Sequence, residues 1–260
     1  MDIVADTRSA VARRAEAVPL PALVEAGEQR RAGPDATRDF RGALAAPGLS
    51  VIAEHKRSSP SAGVIRADLE LADVVSAYER AGARALSVLT EERRFGGRLE
   101  DLAVARRASS LPILRKDFIV EEYQVYESAV AGADAILLIV AALDTGTLIR
   151  LHSLATQLGL ATLVEVHDAI ELDAAHEIGA EIVGVNNRDL TTLEVDVERT
   201  YELLPDIRDG ALVVAESGFR ERGQLERLER AGVDAVLVGE ALMRAPDVEA
   251  ALHDLLGSNG

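Results

Sequence analysis

The sequence predicts an α/β fold: a (β/α)8 or TIM barrel of eight parallel strands, with a helical extension at its N-terminus. Three observations predict it. Four segments resemble one another: AGARALSVLT (81–90), AGADAILLIV (131–140), IGAEIVGVNN (178–187) and AGVDAVLVGE (231–240). Their glycines, Gly82, Gly132, Gly179 and Gly232, are the C-caps of helices that turn directly into buried strands. Four more aliphatic runs of strand length lie between them, at 49–56, 112–118, 161–166 and 211–217. The intervening stretches carry helical periodicity, so strand and helix alternate eight times from Leu49 to Leu256. An open, doubly wound sheet of about six strands is the structural alternative. Eight units with a double period near fifty residues favour closure.

The elements follow in order. Residues 1–46 are polar and Arg-rich, with helical patterning at 9–17 and 21–29, and form the extension. The remainder runs without a linker or low-complexity tract, so residues 1–260 read as a single barrel domain with the extension packed on it. Leu71 to Ala81 is the first barrel helix. Asp144 caps a helix whose stripe is Leu148, Leu151, Ala155 and Leu158. Behind Asp168 a helix to Ile178 places Ile170, Ala174 and Ile178 on one stripe. The charged segment 219–230 turns Leu225 and Leu228 inward, and 240–244 is a short helix after the last strand.

Composition narrows the function. At 48% apolar residues the chain is globular rather than disordered. Its longest apolar stretch, Ala135 to Leu143, is about half a membrane span. The first residues contain no apolar signal-peptide core. There is no cysteine, which excludes a disulfide framework, a thiolate nucleophile and a Cys-based metal site. These features predict a soluble, cytoplasmic protein with no membrane partner. The formal net charge of −16 repels a phosphate backbone and counts against nucleic acid, while leaving room for a small anion in a local cationic cleft.

Of 28 basic residues only Lys56 and Lys116 are lysines. Arginine replaces lysine freely on a solvated surface, but not where a compact, deprotonatable donor is needed. Both lysines fall at strand ends, where barrel enzymes place their chemistry. The first strand ends Glu54-His55-Lys56; alternation puts Glu54 and Lys56 on one face and turns His55 outward against a helix. The third ends Leu114-Arg115-Lys116, the fifth on Glu165, the sixth on Asn186-Asn187-Arg188 and the seventh on Glu216-Ser217-Gly218. A lone charge at a strand end is usually half of a solvated ion pair; the set together with both lysines points to catalysis. Small residues after the last two strands, Ser217, Gly218 and Gly239, let backbone N–H groups approach a phosphate. The loops 56–63 and 93–102 are long enough to cover a substrate, and Phe95 and Phe118 could line a pocket for a flat ring. The other histidines, His152, His167, His176 and His253, have no ligand spacing, so no metal site is expected.

Read in order, IAEHKRSSPSAG, LSVLTEERRFGG, LEDL, PILRKDFI, QVYES, GADAILLI, LVEVHD, VNNRDL, VAESG and VGEALM resemble the indole-3-glycerol phosphate synthase family over about Val51 to Met243. The resemblance implies a cofactor-free carbon–carbon lyase of tryptophan biosynthesis. Its substrate would be 1-(2-carboxyphenylamino)-1-deoxyribulose 5-phosphate, closed to the indole with loss of carbon dioxide and water. It implies Lys116 as general acid and Glu165 as general base. Glu54 and Lys56 lie beside them, Lys56 pairing with the carboxylate or serving the dehydration. Asn186 and Arg188 orient these groups or the sugar, with Glu216 as a further polar wall. Ser217, Gly218 and Gly239 hold the phosphate, aided by Arg57 or Ser59. Phe95, Phe118, Leu114 and Leu137 bracket the ring. One departure is Ala241, where the family pattern has serine. Other enzymes of the tryptophan pathway are allowed as partners but not required. The rivals are a related phosphoribosyl isomerase, disfavoured by the missing cysteine, a Schiff-base aldolase, and a catalytically silent barrel that binds a phosphorylated ligand.

Overall fold

The computed structural model describes residues 3–33, 36–60, 63–66 and 68–257; residues 61 and 62 of the loop after the first strand lie outside the described residues. The strands are β1 Ser50–His55, β2 Ala85–Leu89, β3 Ile113–Lys116, β4 Ala135–Ile139, β5 Ala161–Val166, β6 Ile182–Asn186, β7 Leu212–Glu216 and β8 Ala235–Val238. Each pairs in parallel with the next, and β1 pairs with both β2 and β8, closing the barrel. Nearly every strand residue is buried, because the interior covers one face and the helices the other; hence near-continuous aliphatic runs rather than alternation.

Two apolar layers result. Inside the barrel, Ile52, Leu114, Leu137, Leu163, Val214 and Leu237 interdigitate, and Phe40 and Leu44 of a short helix close the N-terminal end. Outside, Val51, Val88, Ile136, Val164 and Val236 meet the helices. Gly82, Gly132, Gly179 and Gly232 adopt φ of 98°, 105°, 71° and 91°, the left-handed geometry that ends a helix and that glycine adopts without penalty.

The helices are α1 Ile3–Ala17, α2 Leu20–Ala32, α3 Phe40–Leu44, α4 Leu71–Arg80, α5 Glu92–Phe95, α6 Glu100–Ala108, α7 Glu122–Ala131, α8 Thr145–Gln157, α9 Ala169–Glu177, α10 Glu198–Leu203, α11 Arg222–Ala231, α12 Glu240–Met243 and α13 Val248–Leu256. Asp144 caps α8 by accepting from the Thr147 amide, and Leu148, Leu151 and Ala155 are buried as the pattern predicts. In α11 Leu225 and Leu228 face inward. The stripe expected on α9 is corrected at one position: Ala174 and Ile178 pack half-buried against the core, but Ile170 is 81% exposed, and Leu172 and Ala175 are the fully buried residues. In so short a helix two stripes compete, and β5 and the neighbouring turn meet the Leu172 face.

The extension docks through charge as well as apolar contact. Arg30 of α2 donates to the carbonyls of Ala129 and Ala133, capping the C-terminal end of α7. Arg14 of α1 pairs with buried Glu127 of α7 at 2.6 Å. Asp6 of α1 pairs with Arg93 and Arg94 of α5.

Candidate active site

Barrel closure gathers five charged side chains from sequence positions 54 to 216 at the C-terminal rim. Lys116, the last residue of β3, donates from Nζ to Glu165 Oε2 at 2.9 Å and to Glu216 Oε2 at 2.5 Å. Lys56 lies 2.9 Å from Glu54 Oε1, and Ser87 donates to the other oxygen of Glu54. Asn186 donates to Glu165 Oε1 at 3.1 Å, and its own carbonyl accepts from Ser217 Oγ and the Arg188 amide. The amide group is thereby oriented from three sides.

The electrostatics follow from burial. Glu54, Glu165 and Glu216 are each no more than 3% exposed. Burial by itself would lower the Lys116 pKa, but the three carboxylates outweigh it and hold the ammonium protonated. Glu165 is pushed up by burial yet held below its ordinary value by Lys116 and His167. Glu216 is pushed up to about 7, by burial first and then by its carboxylate neighbours against the pull of Lys116. Three acids face two ammonium groups here, and of the three Glu216 is the one held above its ordinary value.

Two absent side chains make room for this cluster. A Cβ on Gly184 of β6 would collide with Glu216 Oε1 and come within 3.1 Å of Leu163. A Cβ on Gly239 would collide with the carboxylate of Glu54. Ser217 adopts φ 65° and Gly218 φ 94°; a serine in the left-handed region is strained, and such strain gathers at functional turns.

Above the cluster opens a cavity of about 380 Å³, walled by Phe95, Phe118, Leu137, Ile139, Leu190 and Leu193 on its apolar side. Ser217, Gly218, Arg220 and Gly239 to Ala241 line another part of it, and Ile3 of α1 reaches the rim beside Arg94.

A family model described as indole-3-glycerol phosphate synthase matches residues 1–255. The chain belongs to the indole-3-glycerol phosphate synthase family. An indole-3-glycerol phosphate synthase of Mycobacterium avium is 46% identical over 245 residues, covering 94% of this chain and 90% of the relative. Indole-3-glycerol phosphate synthase 2 of Streptomyces coelicolor is 47% identical over 255 residues, covering 98% and 97%. Solved structures share the fold. The 3-hexulose-6-phosphate synthase of Salmonella typhimurium aligns with a TM-score of 0.62 at 16% identity, covering 80% of this chain and 96% of that one. A chain of the tryptophan synthase α2β2 complex of Pyrococcus furiosus aligns with the same score and identity, covering 80% and 98%. Membership of the indole-3-glycerol phosphate synthase family makes the chain a decarboxylating lyase of tryptophan biosynthesis that acts on a small phosphorylated molecule.

Most residues expected from the sequence meet at this cavity: Glu54, Lys56, Ser59, Phe95, Lys116, Phe118, Leu137, Glu165, Asn186, Arg188, Glu216, Ser217, Gly218 and Gly239 all line it. Two do not. Arg57 turns away and grips Asp101 of α6 with both terminal nitrogens, also donating to the Gly96 carbonyl. It stands one residue past Lys56, and alternation sends it to the outer face. Leu114 is fully buried in the barrel interior, one layer beneath the cavity, because it precedes the rim residue Lys116 by two positions. The sequence reading missed Arg220, whose only signal was its place after the Ser-Gly turn. It also missed His167, which lies 3.6 Å from Glu165. Among the described residues no helix is long and apolar enough to cross a membrane.

Proposed function

We propose that the chain closes 1-(2-carboxyphenylamino)-1-deoxyribulose 5-phosphate to indole-3-glycerol phosphate, with these residues in the following roles. Lys116 protonates the ketone oxygen as the aryl carbon attacks; it stands fully charged between Glu165 and Glu216, and this geometry carries the reading. Glu165 is the base that takes the proton lost in forming the indole double bond. Lys56, held by Glu54, pairs with the substrate carboxylate until it leaves as carbon dioxide. Asn186 and Arg188 orient Glu165 and the sugar hydroxyls.

The phosphate sits at Ser217, Gly218 and Gly239, where the two glycines leave the backbone N–H groups unscreened by a side chain. Ala241 lacks the hydroxyl of the family pattern, and backbone donors do not need it. Arg220 supplies the cation that Arg57, committed to Asp101, does not. Phe95, Phe118 and Leu137 hold the ring. The reaction needs no cofactor, and the chain works in the cytoplasm as one domain. Its composition and the absence of a membrane-crossing helix among the described residues support this. Association with other enzymes of the pathway is not required by the site, which one chain completes.

The test is to incubate the protein with this substrate, without metal or nucleotide, and follow indole fluorescence beside Lys116→Met and Lys56→Met. Indole formed by the wild type and reduced by orders of magnitude in Lys116→Met supports the assignment. Substrate binding without indole overturns it in favour of a silent phosphate-binding barrel. Trapping of a substrate imine by borohydride would favour an aldolase instead.

A further inference from the structure

The first residue after β5 is His167. Its backbone N–H and its ring Nδ1 both point to Glu171 Oε2, at 2.8 and 3.0 Å. A carboxylate can only accept, so Glu171 fixes the hydrogen on Nδ1. The other ring nitrogen, Nε2, is buried, has no hydrogen-bond partner, and stands 3.6 Å from Glu165 Oε1. Glu165 meets Lys116 through its second oxygen. The order is therefore Glu171, His167, Glu165, Lys116: a file from the start of α9 to the ammonium at the reacting centre, hydrogen-bonded except for the 3.6 Å step from His167 to Glu165. A buried nitrogen left without a partner normally costs stability, and here it faces Glu165, the base proposed for the reaction.

The proton balance of the chemistry explains why such a file is useful. The substrate carboxylate is negative and departs as neutral carbon dioxide, while the ketone oxygen leaves as water. Two protons go to that oxygen and one is recovered from carbon, so each turnover draws one proton from solvent. Lys116 and Glu165 are nearly buried and open only onto the cavity that the substrate would fill, so during turnover the proton needs another way in.

We propose that His167, held by Glu171, is the positioning residue through which this proton reaches Glu165 and Lys116, an inference that rests on the ring-closing decarboxylation proposed for the site. In the step, the Nε2–H bond of the imidazolium breaks and an O–H bond forms on Glu165. A half-turn of the carboxyl group, in which Asn186 exchanges its bond from Oε1 to Oε2, then presents that hydrogen to the neutral Lys116 amine, which becomes ammonium. The imidazole keeps its Nδ1–H on Glu171; because Nε2 is buried, it regains that proton from water only when the ring, whose side chain is partly exposed, swings toward solvent. The groups facing the ring favour its charged form: Glu171 on α9, Glu165 on β5 and Glu216 on β7 together outweigh burial and hold the His167 pKa above its ordinary value. Lys116, on the far oxygen of Glu165, is a competing charge.

The experiment is the pH profile of kcat for wild type, His167→Gln, Glu171→Gln and Lys116→Met, with the carboxyphenylamino-deoxyribulose phosphate as substrate. The wild type should lose kcat as pH rises through the imidazolium range. His167→Gln keeps a hydrogen bond but carries no proton. It should lower kcat about tenfold at neutral pH with KM unchanged within about threefold, and remove the alkaline limb. Glu171→Gln should move that limb to lower pH, because the imidazolium loses its carboxylate. Wild-type kcat and limb in both variants overturn the proposal. If His167→Gln does not fold, the half-exposed Glu171→Gln decides alone. A wild type that makes no indole, or activity surviving in Lys116→Met, overturns the functional reading itself, and the relay falls with it.

Discussion

Arg115 and Lys116 are neighbours on β3 and face opposite sides of the barrel wall. Lys116 enters the cavity; Arg115, 1% exposed, points outward into a closed polar network. Its guanidinium pairs with Asp117 and Glu127, each at 2.9 Å, and donates to Thr90, Ser128 and the Gln124 carbonyl. Glu127 also holds Arg14 of α1. The strand that presents the ammonium is thus pinned from behind, and the extension is tied to the pin.

Arg115→Met should therefore act on stability before it acts on chemistry. Stripping the buried carboxylates of their partner costs about 3–5 kcal/mol where nothing replaces it. A large fall in the denaturant midpoint, with the activity we assign to Lys116 retained below the transition, is the expected result. Calorimetry and a substrate assay on the same sample check it.

Gly184→Ala should disarrange Glu216. The new Cβ collides with its Oε1 and crowds Leu163 at 3.1 Å, so the carboxylate that meets Lys116 through Oε2 must shift. A fall in kcat of tenfold or more with a smaller change in KM is expected, on the scale of losing one charge-stabilising contact. In a Glu216→Ala background the space is vacant, and the thermal cost of Gly184→Ala should shrink. An equal cost in both backgrounds contradicts the steric account.

The stability of the wild type should carry a signature of Glu216. Its folded pKa lies above the unfolded one, at about 7. The folded state then holds the proton more tightly, so this contribution is complete below the unfolded pKa and disappears as pH rises through about 7. Glu216→Gln removes it. Between about pH 5 and pH 8 the wild type should lose thermal stability relative to Glu216→Gln. Parallel slopes for the two proteins would contradict the assignment.

The face of α9 offers a simple check. Ile170→Ser should leave the thermal midpoint nearly unchanged, since the side chain is 81% exposed. Leu172→Ala should cost about 2–5 kcal/mol, as a core leucine does. Equal effects would contradict the buried face.

The Asp6 tether should act on substrate affinity. Asp6 holds Arg93 and Arg94, and α5 carries Phe95 into the cavity wall. Partly exposed pairs contribute about 0.2–1 kcal/mol, so Asp6→Ala should raise KM by no more than about fivefold, with kcat little changed and Asp6→Glu restoring part of the loss.

The eight strands were legible because a strand covered on both faces must be apolar throughout, and because each helix end before β2, β4, β6 and β8 needed a glycine at positive φ. The rim cluster to which we assign catalysis was legible through strand parity: Glu54 with Lys56, and Lys116 as the last residue of its strand, share the inward face by alternation alone. The scarcity of lysine made the same point chemically, since a guanidinium cannot give up its proton.

What the sequence determined by itself was local: the alternation of elements, their period, and which side of a strand each residue takes. Tertiary structure decided everything that depends on distance between segments far apart in the chain. It placed Arg57 on Asp101, sank Leu114 a layer below the cavity, chose the Leu172 face of α9 and set His167 beside Glu165. Periodicity is a property of neighbouring residues along the backbone. Distances across the rim exist only once the eight strands have closed, and closure is what brings Lys116 between two carboxylates 49 and 100 residues away.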